Sequence, residues 1–189
     1  MYEVELKVRA DHDRVRESVV AHGAERVSHV RQVDSYYDAP HREFAETDEA
    51  LRIRLETDRS AGDGAPTTKL TYKGPLVEAE SKSREEHETA VADAEAMAGV
   101  LSGLGFEPAA TVEKERESFQ LGEYTLMLDH VDGLGEFVEI EREVSGEAAI
   151  EAAREDAAAL LRELGLDPAE QIRTSYLGLL LEADTVDGD

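Results

Sequence analysis

Tyr2-Glu3-Val4-Glu5-Leu6-Lys7-Val8-Arg9 carries charge at every odd position from Glu3 and an aliphatic side chain at Val4, Leu6 and Val8. Successive side chains of an extended chain point to opposite faces, so Glu3, Glu5 and Lys7 share one face and the aliphatics the other. The same alternation returns further along. Ala50–Glu56 sets Arg52, Arg54 and Glu56 against Leu51, Ile53 and Leu55, and Thr67–Lys73 sets Lys69, Thr71 and Lys73 against Leu70 and Tyr72. Ser83–Val91 holds Arg84, Glu86 and Glu88 in phase, and strand patterns also cover Val27–Tyr37, Thr111–Gln120, Tyr124–His130 and Glu136–Val144. Seven or eight strands with few helices between them favour an antiparallel sheet, and closing it into a barrel removes its edges.

Helices are expected where the period changes. Asp11 caps a helix over about 12–22, with Val15, Val19 and Val20 apolar and Gly23 as its stop. Asp93 caps another that ends at Gly105, with Met97, Val100, Leu101 and Leu104 as its stripe. The last third is expected to be helical from Ser145 to about Leu164 and again from Asp167 to about Glu182, where Asp167-Pro168-Ala169-Glu170 offers a cap, a first-turn proline and a capping-box acid. Asp58–Pro66 is expected to be a mobile hairpin loop. With no repeat or linker, residues 1–183 are expected to form a single α+β domain with a frayed acidic tail over 184–189.

The chain has 189 residues and a formal charge of -24, from 44 acidic against 20 basic residues. Acids spread along the whole length, with lysine scarce beside arginine, fit a carboxylate surface kept hydrated in a high-salt cytoplasm and hence a halophilic host. That surface argues against coating a nucleic-acid polymer, which needs a basic patch. The absence of cysteine excludes disulfides and thiolate chemistry. No apolar run approaches the roughly 18 residues of a membrane span, and the chain opens on a charged strand, so a cytoplasmic protein without a membrane partner is expected. The six histidines lack metal-ligand spacing.

Four of the five lysines, Lys7, Lys69, Lys73 and Lys114, lie in the alternating segments. If the charged faces point inward, the lining holds the cations Lys7, Arg52, Arg54, Lys69, Lys73, Arg84, Lys114 and Arg116 and the acids Glu3, Glu5, Glu86, Glu88, Asp129, Glu139 and Glu141. Buried charge persists only when paired, hydrated or bound to a ligand, so such an interior is a polar tunnel. Both signs together suit a polyphosphate with a divalent metal: arginine forks and lysine ammoniums hold phosphate oxygens, and carboxylates hold Mg²⁺ or Mn²⁺. For any one strand the ordinary alternative is a solvated outer face with cross-strand ion pairs. Recurrence over several strands, with the scarce lysines gathered there, favours the tunnel. Two segments leave the parity open: Arg84–Glu88 has Glu85 and His87 on its other face, and Val112–Gln120 sets Glu113, Glu115 and Glu117 opposite Lys114 and Arg116.

Glu3-Val4-Glu5-Leu6-Lys7 resembles the E-x-E-x-K signature of the CYTH superfamily, the triphosphate tunnel enzymes that include class IV adenylate cyclases and thiamine triphosphatases. The resemblance continues in order through Gln32–Asp38, Glu49–Arg54, Lys69–Pro75, Arg84–Glu88, Lys114–Arg116, Leu128-Asp129 and Leu134–Glu141. With the composition, it suggests a halophilic archaeon. It implies an eight-stranded closed antiparallel β-barrel with flanking helices, whose tunnel takes a triphosphate and Mg²⁺ or Mn²⁺. By position it makes Glu3, Glu5, Glu139 and Glu141 metal ligands with Asp129 close by. Lys7, Arg52, Arg54, Lys69, Lys73, Arg84, Lys114 and Arg116 become phosphate-binding residues, and Glu86 and Glu88 bind a second metal or orient the cations. Ser175-Tyr176-Leu177 resembles a family segment near the tunnel, without a role for Tyr176. The implied activity is class IV adenylate cyclase, forming cyclic AMP and pyrophosphate from ATP. The alternatives are a triphosphatase acting on thiamine triphosphate, inorganic triphosphate or a nucleotide, and a non-catalytic triphosphate-binding module. A homodimer is expected by analogy, and no catalytic base is assigned.

Overall fold

The computed structural model describes residues 2–60, 64–77 and 83–186. Part of the Asp58–Pro66 loop and the last three residues of the expected tail lie outside the described residues. Eight antiparallel strands close into a barrel in the order β1 (Tyr2–Arg9), β5 (Arg84–Val91), β4 (Thr67–Lys73), β3 (Ala50–Asp58), β2 (Glu25–Asp38), β6 (Glu107–Leu121), β7 (Tyr124–Val131) and β8 (Gly135–Val144), the last pairing with β1. The expected closed eight-stranded antiparallel architecture is the one found. Among the described residues five α-helices accompany it: α1 (His12–Ala21), α2 (Phe44–Thr47), α3 (Ala94–Gly103), α4 (Ile150–Glu163) and α5 (Tyr176–Val186).

The aliphatic parity faces out of the barrel. Leu6, Val8, Phe119, Leu126, Leu128, Val138 and Ile140 pack against Val15 and Val19 of α1 and Ala157 and Leu161 of α4 in the largest buried cluster. The main hydrophobic core therefore lies between the barrel wall and its helices, which leaves the charged parity for the interior. A second cluster, Tyr37, Phe44, Leu51, Ile53 and Leu101, seats α2 and α3.

Asp11 caps α1 by accepting from the Arg14 amide at 3.1 Å, and Asp93 caps α3 by accepting from Ala96 at 3.0 Å. The buried stripes are narrower than expected. Val20, Val100 and Leu104 are exposed, and α3 packs through Ala94, Met97, Ala98 and Leu101. That i, i+3, i+4, i+7 row is all a single helix lying on a sheet can bury.

The expected helix from Asp167 to Glu182 is interrupted. Asp167 caps only a 3₁₀ turn, Pro168–Glu170, and Gln171 is extended at φ -55°, ψ 132°. The Ile172 amide then donates to the Lys7 carbonyl at 2.7 Å, and Ile172 packs on Val112, Val131, Phe137 and Tyr176. Tertiary pairing with β1 outweighs local propensity here. Helix resumes after Ser175, whose Oγ accepts from the Gly178 amide at 3.1 Å as an N-cap, and α5 runs to Val186, past the expected start of the tail. No helix of the described residues is long and apolar enough to cross a membrane.

Candidate active site

The barrel interior is a cavity of about 1350 Å³, lined by all eight strands, α2 and the stretch Arg173–Leu181. Every sequence-predicted site residue lines it except Asp129. Both open parities resolve the same way. Arg84, Glu86 and Glu88 face the cavity, as do Lys114 and Arg116. Glu113 and Glu117 turn outward, to Arg31 and to Arg16 respectively, and Glu115 lies opposite His29 and Arg59.

Two buried aspartates hold the cations in place. Asp129 is fully buried and accepts from Lys114 Nζ at 3.1 Å and from the Arg116 fork, Nε at 2.6 Å. It thus stands behind the cations that face the cavity, where a metal ligand was expected. Asp34 does the same for the other side: the Arg54 fork reaches both its oxygens at 2.6 Å, and Arg52 approaches at 3.5 Å. Burial acts to raise both carboxyls, but the flanking cations hold each well below the usual carboxylate range. Asp34 appeared only inside a resembling motif. Its signal is cross-strand register, Asp34 opposite Arg54, which the sequence does not display.

The remaining cations are also held by acids. Lys73 lies 2.7 Å from Glu3 and 2.8 Å from Glu86, Lys69 is 3.1 Å from Glu88, and Lys7 is 3.7 Å from Glu139, which also receives Arg116. Arg84 is tied to Asp48, which caps the end of α2 in the left-handed region at φ 56°. Burial acts to lower Lys73 and to raise Glu139, but Glu3 and Glu86 raise the lysine and Arg116 lowers the glutamate. Lys114 differs: burial, then Arg116, push it down to about 8 against the pull of Asp129.

One pair of carboxylates, Glu5 and Glu141, makes no ion pair of its own among the described residues, although Arg116 and Lys73 partly offset the charge at Glu141. Glu5 and Glu141 are directly opposite in the β1–β8 ladder, with Glu3 opposite Glu143 two pairs along on the same face. Like charges in that arrangement repel. Burial first, and Glu3 second, push Glu141 up to about 8. Among the described residues no ion pair reaches Glu5 or Glu141. As they stand, no three acidic or imidazole groups among the described residues are gathered tightly enough to hold a metal ion. The donors nonetheless fit a hard divalent cation chemically, being all carboxylate oxygen and crowded enough for one to stay protonated. Glu3, Glu5, Glu139 and Glu141 are the residues that would hold it.

The sequence and fold have known relatives. The CYTH domain model matches residues 1–176. A Methanocaldococcus jannaschii protein provisionally named an adenylate cyclase is 36% identical over 180 residues, spanning 95% of this chain and 98% of its own. The adenylate cyclase CyaB of Aeromonas hydrophila is 27% identical over 190 residues, spanning 100% of this chain and 93% of its own. A solved structure of a Pyrococcus horikoshii protein superposes with a TM-score of 0.87 at 40% identity, over 96% of this chain and 99% of that one.

Proposed function

The chain belongs to the CYTH domain family, and on that premise we propose that it is a metal-dependent, class IV adenylate cyclase-like enzyme that converts ATP to cyclic AMP and pyrophosphate. The observation that carries this reading is the convergence, on one cavity, of the eight expected cations with the facing carboxylates Glu5 and Glu141, neither of which makes an ion pair among the described residues. Anion binding alone explains the cations; carboxylates set against each other among them call for a bound cation as well. The adenylate cyclase names of the Methanocaldococcus and Aeromonas proteins favour cyclisation over hydrolysis.

In this chemistry the ribose 3′-hydroxyl attacks the α-phosphorus, the bond to the α,β-bridging oxygen breaks, pyrophosphate leaves with the electron pair, and the hydroxyl proton passes to solvent or to the departing pyrophosphate. Arg52 and Arg54, fixed by Asp34, and Lys114 and Arg116, fixed by Asp129, present donors whose directions are set before substrate arrives. Such preorganised charge stabilises the developing negative charge without reorganisation during the step. Lys69, Lys73 and Arg84 extend the same lining along the polyphosphate. A Mg²⁺ or Mn²⁺ on the carboxylates would lower the pKa of the attacking hydroxyl.

The test is product analysis by ³¹P NMR and chromatography after separate incubation with ATP, thiamine triphosphate and inorganic triphosphate, in high KCl with Mg²⁺ or Mn²⁺. Cyclic AMP with equimolar pyrophosphate is expected. Orthophosphate without a cyclic product would make the site a triphosphatase, and binding without turnover would make it a triphosphate-binding module.

A further inference from the structure

The stretch between the 3₁₀ turn and α5 crosses the end of β1 and delivers Tyr176 into the barrel. Its ring centroid lies 4.3 Å from Lys7 Nζ and 4.9 Å from Lys114 Nζ. Phe137 supports the ring edge-on, at 5.0 Å and 64°. Ammonium groups held against a ring face gain attraction from its quadrupole, and their remaining N–H donors point away from it. Tyr176 therefore orients two lysines from strands that are not neighbours in the barrel, β1 and β6.

The hydroxyl is the unexplained part. Tyr176 is 6% exposed, lines the cavity, and its oxygen has no hydrogen-bond partner among the described residues. Other phenols are satisfied: Tyr124 donates to the Ala153 carbonyl at 2.9 Å, Tyr2 to Glu147 at 3.0 Å, and Tyr72 to Glu49. A buried hydroxyl left unpaired costs stability, so it calls for a partner that the folded chain does not supply. The surroundings name that partner's chemistry. Lys7, Lys114 and Arg116 share that space with Glu139 and Asp129, but those two acids are already engaged by the three cations, so the complement left for the O–H donor is an incoming anionic oxygen.

We propose that Tyr176 is a substrate-binding residue whose hydroxyl donates to a phosphoryl oxygen held by Lys7 and Lys114, so that the C-terminal segment completes the triphosphate site. The proposal rests on the reading of the barrel as a triphosphate site. It assigns a function to the break in the C-terminal helix: an uninterrupted helix from Asp167 would lack the extended turn at Gln171 through which Ile172 pairs with Lys7.

Calorimetric titration with inorganic triphosphate and Mg²⁺ tests it on wild type and Tyr176→Phe. The variant keeps the ring, and its unfolding midpoint checks the fold. A hydrogen bond to a charged acceptor predicts affinity lower by about 10- to 100-fold. A folded Tyr176→Phe protein that binds as wild type does would overturn the assignment while leaving the triphosphate site intact. Wild-type protein that does not bind triphosphate would instead overturn the site reading itself. Tyrosine labelled with ¹³C at Cζ gives a second measurement on unmutated protein. The Tyr176 resonance, assigned through its contact with Phe137, is expected to shift on saturation with triphosphate, and an unmoved resonance in the bound state would count against the proposal.

Discussion

The two faces of the barrel wall are built from the same strands and obey opposite rules. Outside, Leu126, Leu128, Val138 and Ile140 meet α1 and α4 in a dry cluster whose burial stabilises the fold. Inside, one residue along each strand, Glu139 and Glu141 share the cavity wall with lysines and arginines, and Asp129 stands behind them. A buried ion pair recovers little more than its desolvation cost, so the inner face is held in place by the outer one. The inner face is also uneven. Asp34 and Asp129 sit behind cations and are satisfied, whereas Glu5 and Glu141 face each other without an ion pair among the described residues.

The largest effect is expected from removing an inner anchor. Asp129→Ala leaves Lys114 buried without its partner and Arg116 with Glu139 alone, and should cost about 3–5 kcal/mol in chemical denaturation. Leu126→Ala, on the outer face of the same strand, should cost about 2–5 kcal/mol through its cavity. An Asp129→Ala cost below about 1 kcal/mol would mean that the interior is solvated and the contrast between faces is electrostatic only in name.

Next in size, Arg52→Ala should weaken triphosphate binding by roughly 10- to 100-fold and monophosphate binding much less, since several charged hydrogen bonds are lost only with the longer anion. Equal losses in titrations of the two would remove Arg52 from the polyphosphate site.

The crowded carboxylates predict a pH effect. Between its ordinary value of 4.5 and about 8, Glu141 has lost its proton in the unfolded chain and kept it in the folded one. The folded state then binds more protons, so the Glu141 contribution to metal-free stability falls as pH rises through that window. Glu141→Gln should flatten this slope, and Mg²⁺ should oppose it in the native protein. Thermal unfolding from pH 5 to 9 in EDTA, compared between the two proteins, checks the sign; identical slopes would detach Glu141 from the crowded cluster.

The smallest effect belongs to the outward charges. Glu115 reaches only His29 and Arg59 at 3.3 Å near the surface, so Glu115→Gln should change stability by less than about 0.5 kcal/mol and leave triphosphate affinity unaltered. A large loss of affinity would show that β6 carries function on both faces.

Strand parity made much of this legible. Glu3, Glu5 and Lys7 had to share a face, and so did Arg52 and Arg54, because the side-chain period of a strand is two. Parity cannot say which face is inside, and at Val112–Gln120 it offered acids on one side and cations on the other. Register decided the partners: that Asp34 meets Arg54, that Asp129 meets Arg116, and that Glu5 meets Glu141. These pairs are separated by long stretches of chain, and nothing local couples them.

By itself the sequence determined the strands, the capped starts of α1 and α3, the residues that travel together on each face and the presence of both charge signs in one set. Tertiary structure alone decided that closure turns that set inward, which aspartates stand behind the cations, and that the C-terminal helix breaks so Tyr176 can enter the barrel. The reason is physical: a dihedral preference or a period of two acts over neighbouring residues, whereas burial, desolvation and pairing depend on what the closed barrel brings alongside.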